Sequence, residues 1–480
     1  MIFHSVDFVA FFLITTFVYW RLPHRGQNLF IVLASYVFYG YVHPWFLTLI
    51  AVTTLVDFYA ARGMDAWPGR RRLMLGLSLV VNLGLLVFFK YFNFFLDNVH
   101  TTLALFGLDV PKPMLAVMLP VGISFYTFQE LSYTIEVYRG RMQARRNLID
   151  FAAFVCFYPQ LVAGPIERAS HLLPQIERAR QWSWPLARAA LFLICWGYFK
   201  KIVIADNVGV IANKVFSLDE PGFTVLWAGV FAFAIQIYAD FSAYSDIARG
   251  VARWLGFELM INFNHPYLAT GPIDFWRRWH ISLSTWFRDY VYIPLGGSHR
   301  GSSRAMFNLW LTFLVSGLWH GASWNYVIWG AYHGALVTIA RLTSRRRDRR
   351  VNARSDIWAI LEPLQVLGMF LLTCVGWLIF RETDVHMLWR DLTLSPWTTT
   401  LADRQVGRYL FLLTVVYSLP LWMHSVWAVY IAPGIRRRES PGTAWGGWAT
   451  AGQAVLAGLA IAAMLVFRSR QSLDFIYFQF

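Results

Sequence analysis

The feature that most constrains this chain is the recurrence of apolar stretches long enough to enter a bilayer. A membrane crossing needs roughly 20 mostly apolar residues. Candidates run from Phe3 to Trp20, Leu29 to Tyr41, Trp45 to Ala61, Leu73 to Leu96 and Leu115 to Val137. Further ones run from Phe151 to Val162, Leu186 to Phe199, Phe223 to Tyr238, Phe307 to Ile339, Ile357 to Phe380, Tyr409 to Tyr430 and Trp448 to Phe467. Several are too short for a full crossing. Short apolar segments in such a chain predict re-entrant or buried helices, which survive at membrane depth where protein covers the backbone. Composition agrees: 57% of the 480 residues are hydrophobic and 14% charged, against about a quarter charged in soluble domains. The expected class is an all-α polytopic membrane protein. With no internal repeat and no long linker, residues 1–480 read as a single domain.

A net charge of +15 would suit nucleic acid, but its distribution argues otherwise. The basic residues cluster between apolar stretches: Arg70 to Arg72, Arg139 to Arg146, Arg341 to Arg354 and Arg436 to Arg438. That is the positive-inside pattern, with anionic lipid headgroups as secondary partners. Placing Arg62 to Arg72 in the cytoplasm puts Arg21 and Arg25 inside and Met1 outside. Placing Arg341 to Arg354 inside puts Arg436 to Arg438 inside and Phe480 outside. Both termini are therefore expected on the periplasmic side. Between Leu148 and Arg304, Pro, Gly and charge interrupt the pattern and parity cannot be followed. The N-terminal stretch lacks the basic start and small-residue site of a cleaved signal. The polar amphipathic segment Glu167 to Arg180 is expected on the cytoplasmic face.

Two stretches carry chemistry. The first, Asn262 to Ser298, is the densest polar region, with Trp276, Arg277, Arg278, Trp279, His280, Trp286, Arg288, Asp289 and Tyr290. One reading is an interfacial belt of anchoring Trp and snorkelling Arg. The other is a wet cavity whose arginines meet the phosphates of a donor. Arg288 and Asp289 can equally pair with neighbours and hold the fold. The second stretch is apolar but holds His320 and His333, with Gly317 and Gly321 around His320. Those glycines permit close approach of backbone or ligand. A histidine at membrane depth can simply bond a neighbouring helix, or it can serve as a general base. His320 and His333 are 13 residues apart, about 20 Å along an unbroken helix, so they share a site only if the helix breaks. His280 and His320 lie on different segments and are free to meet. Cys156, Cys195 and Cys374 have no metal or redox spacing and read as core residues. No metal, nucleotide or serine-hydrolase motif is present.

Trp276-Arg277-Arg278-Trp279-His280 together with Trp319-His320-Gly321 resembles the signature of the membrane-bound O-acyltransferases, most of all the bacterial alginate O-acetyltransferase group. Supporting runs follow in order: Leu33 to Tyr39, Pro120 to Phe125, Ala163-Gly164-Pro165, Asp240 to Asp246, Tyr292 to Gly297 and Phe475 to Phe478. The resemblance implies a ring of roughly 11–13 transmembrane and re-entrant helices around a central cytoplasm-facing funnel. It implies His320 as the catalytic residue and His280 as the second polar one. Trp276, Arg277, Arg278, Trp279, Arg288 and Trp319 are expected to line the acyl-donor funnel. It implies acetyl-CoA as donor substrate, with no permanently bound cofactor and no metal. The expected setting is the bacterial inner membrane. There the acetyl group would pass to an exopolysaccharide or cell-envelope glycan through a periplasmic acetyltransferase partner. The rival classes are a non-enzymatic transporter or export subunit and a bis-histidine haem protein.

Overall fold

The structure is a computed structural model that describes residues 1–108, 110–111, 118–162, 164–299, 301–347, 355–433, 446–469 and 473–476. Ala163, the end of the Arg341 to Arg354 cluster, Arg436 to Arg438, Tyr477, Phe478 and Phe480 lie outside the described residues, as does the start of the stretch expected from Leu115. Among the described residues the chain is all helical, with no strand. Five helical stretches are long and apolar enough to cross a membrane: Phe46–Ala66, Pro68–Leu105, Phe223–Trp254, Leu361–Arg381 and Leu401–Ile431. Shorter apolar helices, among them Val6–Tyr19 and Leu148–Leu161, accompany them. The chain is thus a helical membrane protein that mixes full-length and short apolar helices. Its residues form two compact units, 1–191 with 247–260, and 192–246 with 261–480.

The first unit contains α1 (Val6–Tyr19), α2 (His24–Gly40), α3 (Phe46–Ala66), α4 (Arg71–Leu105), α5 (Ile123–Tyr138), α6 (Leu148–Cys156), α7 (Tyr158–Leu161) and α8 (Ala169–Glu177). The 35 residues of α4 make a rod of about 52 Å. The stretch expected from Leu115 enters its helix only at Ile123, after Gly122 at φ +77°. A Cβ there would sit 2.7 Å from the Leu161 carbonyl oxygen, so left-handed backbone and close contact both demand glycine. α6 and α7, together the expected short segment from Phe151, are buried throughout from Phe151 to Leu161. They serve as core, not as a lipid-facing span. α8 packs Leu172, Leu173 and Ile176 inward, which matches the amphipathic reading of this segment.

α9 (Trp184–Phe199) and α11 (Phe223–Trp254) each contain a unit boundary; α10 (Asp206–Phe216) lies in the second unit. The rest of that unit is α12 (Pro272–Arg278), α13 (Ile281–Phe287), α14 (Ser302–His320), α15 (Trp324–Arg347), α16 (Ser355–Arg381), α17 (Val385–Thr393), α18 (Leu401–Val426) and α19 (Gly446–Val466). Sequence reading treats Phe307 to Ile339 as one apolar stretch. In the structure it breaks at Gly321, and α14 and α15 pack on each other as a helical hairpin. Glycines make the contact possible. A Cβ on Gly317 would lie 2.1 Å from the Tyr326 carbonyl oxygen, one on Gly330 2.4 Å from that of Phe313, and one on Gly321 2.1 Å from the Tyr326 ring. The close approach allowed by Gly317 and Gly321 is therefore used by the protein's own chain.

Candidate active site

The break places His320 at the last turn of α14, buried at 6% exposure. Its ring stands near-perpendicular to three aromatic neighbours: Trp319 at 5.0 Å, Trp329 at 5.1 Å and Phe380 at 5.3 Å between centroids. Trp329 comes from α15 and Phe380 from α16, so three helices enclose the imidazole. The condition for His333 to approach is met as well. Its ring lies 4.7 Å from the other side of this wall, against Trp329, and 5.1 Å from Trp276. One indole therefore contacts both histidines of the hairpin.

His280 arrives from the broken connection between α12 and α13. It is fully buried and holds φ +42°, ψ +55°. Among described residues only His265 shares a positive φ without being glycine. Such left-handed backbone costs a non-glycine residue of order 1 kcal/mol and persists where the surroundings impose it. The surroundings here include Asn262 and the rings of Phe241, Phe263 and Trp319. Asn262 Oδ1 accepts from Ser282 N at 3.3 Å and Ser282 Oγ at 2.9 Å. The backbone N–H is an obligate donor, so it fixes which amide atom is oxygen. His280 Nδ1, 3.0 Å from that same oxygen, must then carry a proton. In the neutral ring Nε2 is the acceptor nitrogen. Phe241 packs on the imidazole at 4.8 Å and Trp319 at 6.3 Å. Trp319 thus touches both His280 and His320.

The remaining predicted residues separate into groups. Trp276 packs on Phe313, Trp329 and His333. Trp279 is buried among Phe263, Phe275 and Trp377, with centroids at 5.0, 5.8 and 4.8 Å. Arg278 pairs with Asp274 at 2.9 Å, one helical turn back. Arg277 is exposed, and Arg288 is exposed and paired with its neighbour Asp289 at 2.8 Å. The structure brings His280, Trp319 and His320 together, with Trp276 joined through Trp329. It gives no contact from Arg277 or Arg288 to either histidine.

Sequence reasoning passes over several supports. Asn262 begins the polar stretch without a visible partner, because its bond to His280 spans 18 residues of irregular chain. Trp329 and Phe380 look like ordinary span residues. In the run from Asp240 to Asp246, Asp240 pairs with Lys201 at 3.0 Å and Asp246 with Lys200 at 2.7 Å. Lys201 also bonds Asp206 at 2.9 Å and the Leu473 carbonyl at 2.9 Å, while Ile476 N donates to Asp240. This buried network seats Phe475 against Phe241, the residue that packs on His280. Lys200 to Ala205 form a π-helical turn, the kind of local widening that often accompanies functional sites. No group of three or more metal-ligating side chains occurs among the described residues.

The sequence resemblance names His320 and His280, and the structure places them on either side of the Trp319 indole. The chain belongs to the membrane-bound O-acyltransferase family, whose profile matches residues 31–380, and it is an O-acyltransferase. Its relatives narrow the group. It is 42% identical over 394 residues to a probable alginate O-acetylase of Pseudomonas putida, covering 81% of this chain and 78% of the relative. It is 41% identical over 396 residues to that of Azotobacter vinelandii, covering 81% and 77%. A peptidoglycan O-acetyltransferase of Helicobacter pylori is 33% identical over 425 residues, covering 80% and 78%.

Proposed function

We propose that this chain moves an acetyl group from cytoplasmic acetyl-CoA toward a hydroxyl of an exopolysaccharide or cell-envelope glycan, with an alginate-like polymer as the leading acceptor. The observation that carries the reading is the convergence of His320 and His280 on Trp319, inside an aromatic enclosure closed by Trp329 and Phe380. The names of the relatives, alginate O-acetylases and a peptidoglycan O-acetyltransferase, support a glycan acceptor. The protein sits in the bacterial inner membrane with both termini in the periplasm, and a periplasmic acetyltransferase partner completes delivery to the polymer.

His320 is the general base. It takes the proton of the attacking hydroxyl as that oxygen bonds to the thioester carbonyl carbon. The carbon–sulfur bond breaks, and the coenzyme A thiolate leaves and takes up the proton. General-base help is worth ~10²–10⁴-fold, and alignment of the two substrates adds to it. His280 orients the reactants. With Nδ1 committed to Asn262, its Nε2 accepts a hydrogen bond, which suits a hydroxyl better than a developing oxyanion. Trp276, Trp279 and Trp319 shape the walls, and Arg277, Arg278 and Arg288 serve the donor's phosphates from the cytoplasmic approach. Purified protein in nanodiscs, supplied with radiolabelled acetyl-CoA and oligosaccharide, tests the scheme. Thioester consumption that depends on His320 is expected. Full consumption by His320→Ala would refute the assignment, and no consumption by the wild type would refute the donor.

A further inference from the structure

A cavity in the second unit lies apart from the histidines. It has a volume of about 880 Å³ and an almost wholly apolar lining that includes Trp227, Phe231, Phe370, Leu371, Phe411 and Trp422. Tyr267 forms part of its inner wall. That residue is fixed by hydrogen bonds to the Ala234 carbonyl and from Trp377 Nε1 at 3.0 Å, and it stacks on Trp279. Tyr267, Trp279 and Trp377 thus stand between the cavity and Phe380, the ring beside His320. The cavity's contents do not reach the reacting atoms. On the outer side its lining residues Leu367, Leu371 and Phe411 are exposed, so the cavity is a lateral groove bounded by α11, α16 and α18, all of which contain membrane-length stretches.

The polar groups of the groove sit at its ends. Arg408 lies near the start of α18, while Glu362 and Tyr430, hydrogen-bonded to each other at 2.9 Å, lie at the far end. Arg408 and Tyr430 are 22 residues apart, about 33 Å of helix, close to the ~30 Å hydrocarbon thickness of a bilayer. At the Arg408 end a second, polar pocket of about 440 Å³ adjoins the groove through their common residue Phe223. It presents Glu220, Arg390, Thr399, Thr400 and Asp403. Asp403 is one helical turn before Gly407 and also accepts from Thr224 N at 3.0 Å, which ties the two pockets to one helix start.

We propose that this composite groove is a binding site for a zwitterionic aminophospholipid, with an acyl chain along the apolar groove and its phosphoethanolamine head in the polar pocket. The groove is long enough to hold a whole acyl chain, and the lateral opening admits it from the bilayer. The head end carries both signs: Arg408 for the phosphate, and the carboxylates of Glu220 and Asp403 for the ammonium, while Arg390 is already paired with Asp391 at 2.8 Å. A purely anionic head satisfies the arginine and is repelled by the acids.

The test uses the full-length protein, stripped of lipid and offered equal phosphatidylethanolamine and phosphatidylglycerol, then released from detergent for native mass spectrometry. The wild type is expected to retain one phosphatidylethanolamine. Arg408→Glu reverses the phosphate contact, and Leu371→Trp fills the groove from an exposed position. Arg408→Glu is expected to cut retention about tenfold, the scale of one charge-assisted bond, and Leu371→Trp to lower it by occupying the groove, with thermal unfolding unchanged. Equal retention by all three proteins, a preference for phosphatidylglycerol, co-purification of a lipid-linked saccharide in place of phospholipid, or no retained lipid in the wild type would each overturn the proposal.

Discussion

Two regions of this molecule bury polar side chains in apolar helices, and they do it in opposite ways. In the first unit, α3, α4 and α5 enclose Asp57, Ser78, Asn82, Glu130 and Thr134, each fully buried. Polar side chains here meet polar side chains: Asn82 donates to both Asp57 oxygens at 3.1 and 2.9 Å, Ser78 donates to Thr134 at 3.1 Å, and Thr54 reaches Glu130 at 3.4 Å. In the second unit, His320 is walled by Trp319, Trp329 and Phe380, while His280 holds a left-handed backbone against Asn262. A polar group met by polar partners supports helix packing. One surrounded by aromatic rings, or held on strained backbone, points to a site whose chemistry completes the arrangement.

The comparison breaks most sharply at His320. His320→Ala is expected to lower acetyl transfer by ~10²–10⁴-fold, the scale of general-base help, with the protein still accumulating in the membrane and unfolding at the wild-type temperature. Transfer and accumulation falling together would put His320 in the same category as Asn82. A smaller effect is expected at Asn262, which touches the reaction only through His280. Asn262→Ala removes the acceptor that fixes the His280 proton on Nδ1, at a cost of about 1 kcal/mol or about fivefold in rate. As a positioning residue it should lower kcat with KM nearly constant, and Asn262→Asp should restore part of the rate. A change confined to KM would remove Asn262 from this role.

Gly317 and the α3–α5 cluster sharpen the other side. At Gly317 an added methyl would stand 2.1 Å from the Tyr326 carbonyl oxygen, and overpacking of this kind costs about 1–3 kcal/mol. Gly317→Ala should therefore reduce both stability and transfer, because the hairpin it opens also carries His320. Asn82→Ala leaves Asp57 without the Nδ2 donor that reaches both its oxygens. Interhelical hydrogen bonds in membranes average about 0.6 kcal/mol, so a modest fall in thermal stability is expected, with specific activity per folded molecule unchanged. Loss of specific activity at Asn82, measured on protein sorted by gel filtration, would erase the distinction between the two regions.

These contrasts also explain what could be read in advance. Apolar length and basic clusters define a helical membrane protein, since they follow from burial and solvation alone. His280 and His320 stand out as ionisable residues in apolar surroundings, and the family resemblance joins them. The helix break was not legible. Gly317, Gly321 and Gly330 appear in sequence as open space, and only the packed hairpin shows that Tyr326 and Phe313 fill it. The supports of His280 were hidden for the same reason. Asn262, Phe241 and Phe475 come from three distant segments, and no periodicity links them. Residues whose roles depend on local pattern were visible, and residues whose roles depend on tertiary closure were not.

A third histidine gives the comparison its baseline. His171 on α8 is half exposed, and its Nδ1 lies 2.7 Å from the buried Glu167 carboxylate, whose other oxygen accepts Met260 N at 2.6 Å. The hydrogen bond to Glu167 holds the His171 pKa above its ordinary value, against the opposing effect of partial burial. A raised folded-state pKa means that the pair's contribution is fully present below the unfolded value near 6.5. It is lost as pH rises through the folded value. Exposure and salt screening keep such a pair within about 1 kcal/mol. The difference in melting temperature between wild type and His171→Ala should thus be largest near pH 6 and shrink toward pH 9, with transfer activity per folded molecule equal throughout. A difference that grows with pH would reverse the sign and remove the ion pair. A loss of transfer at His171→Ala would show that pairing with a carboxylate does not, in this fold, separate a structural histidine from a catalytic one.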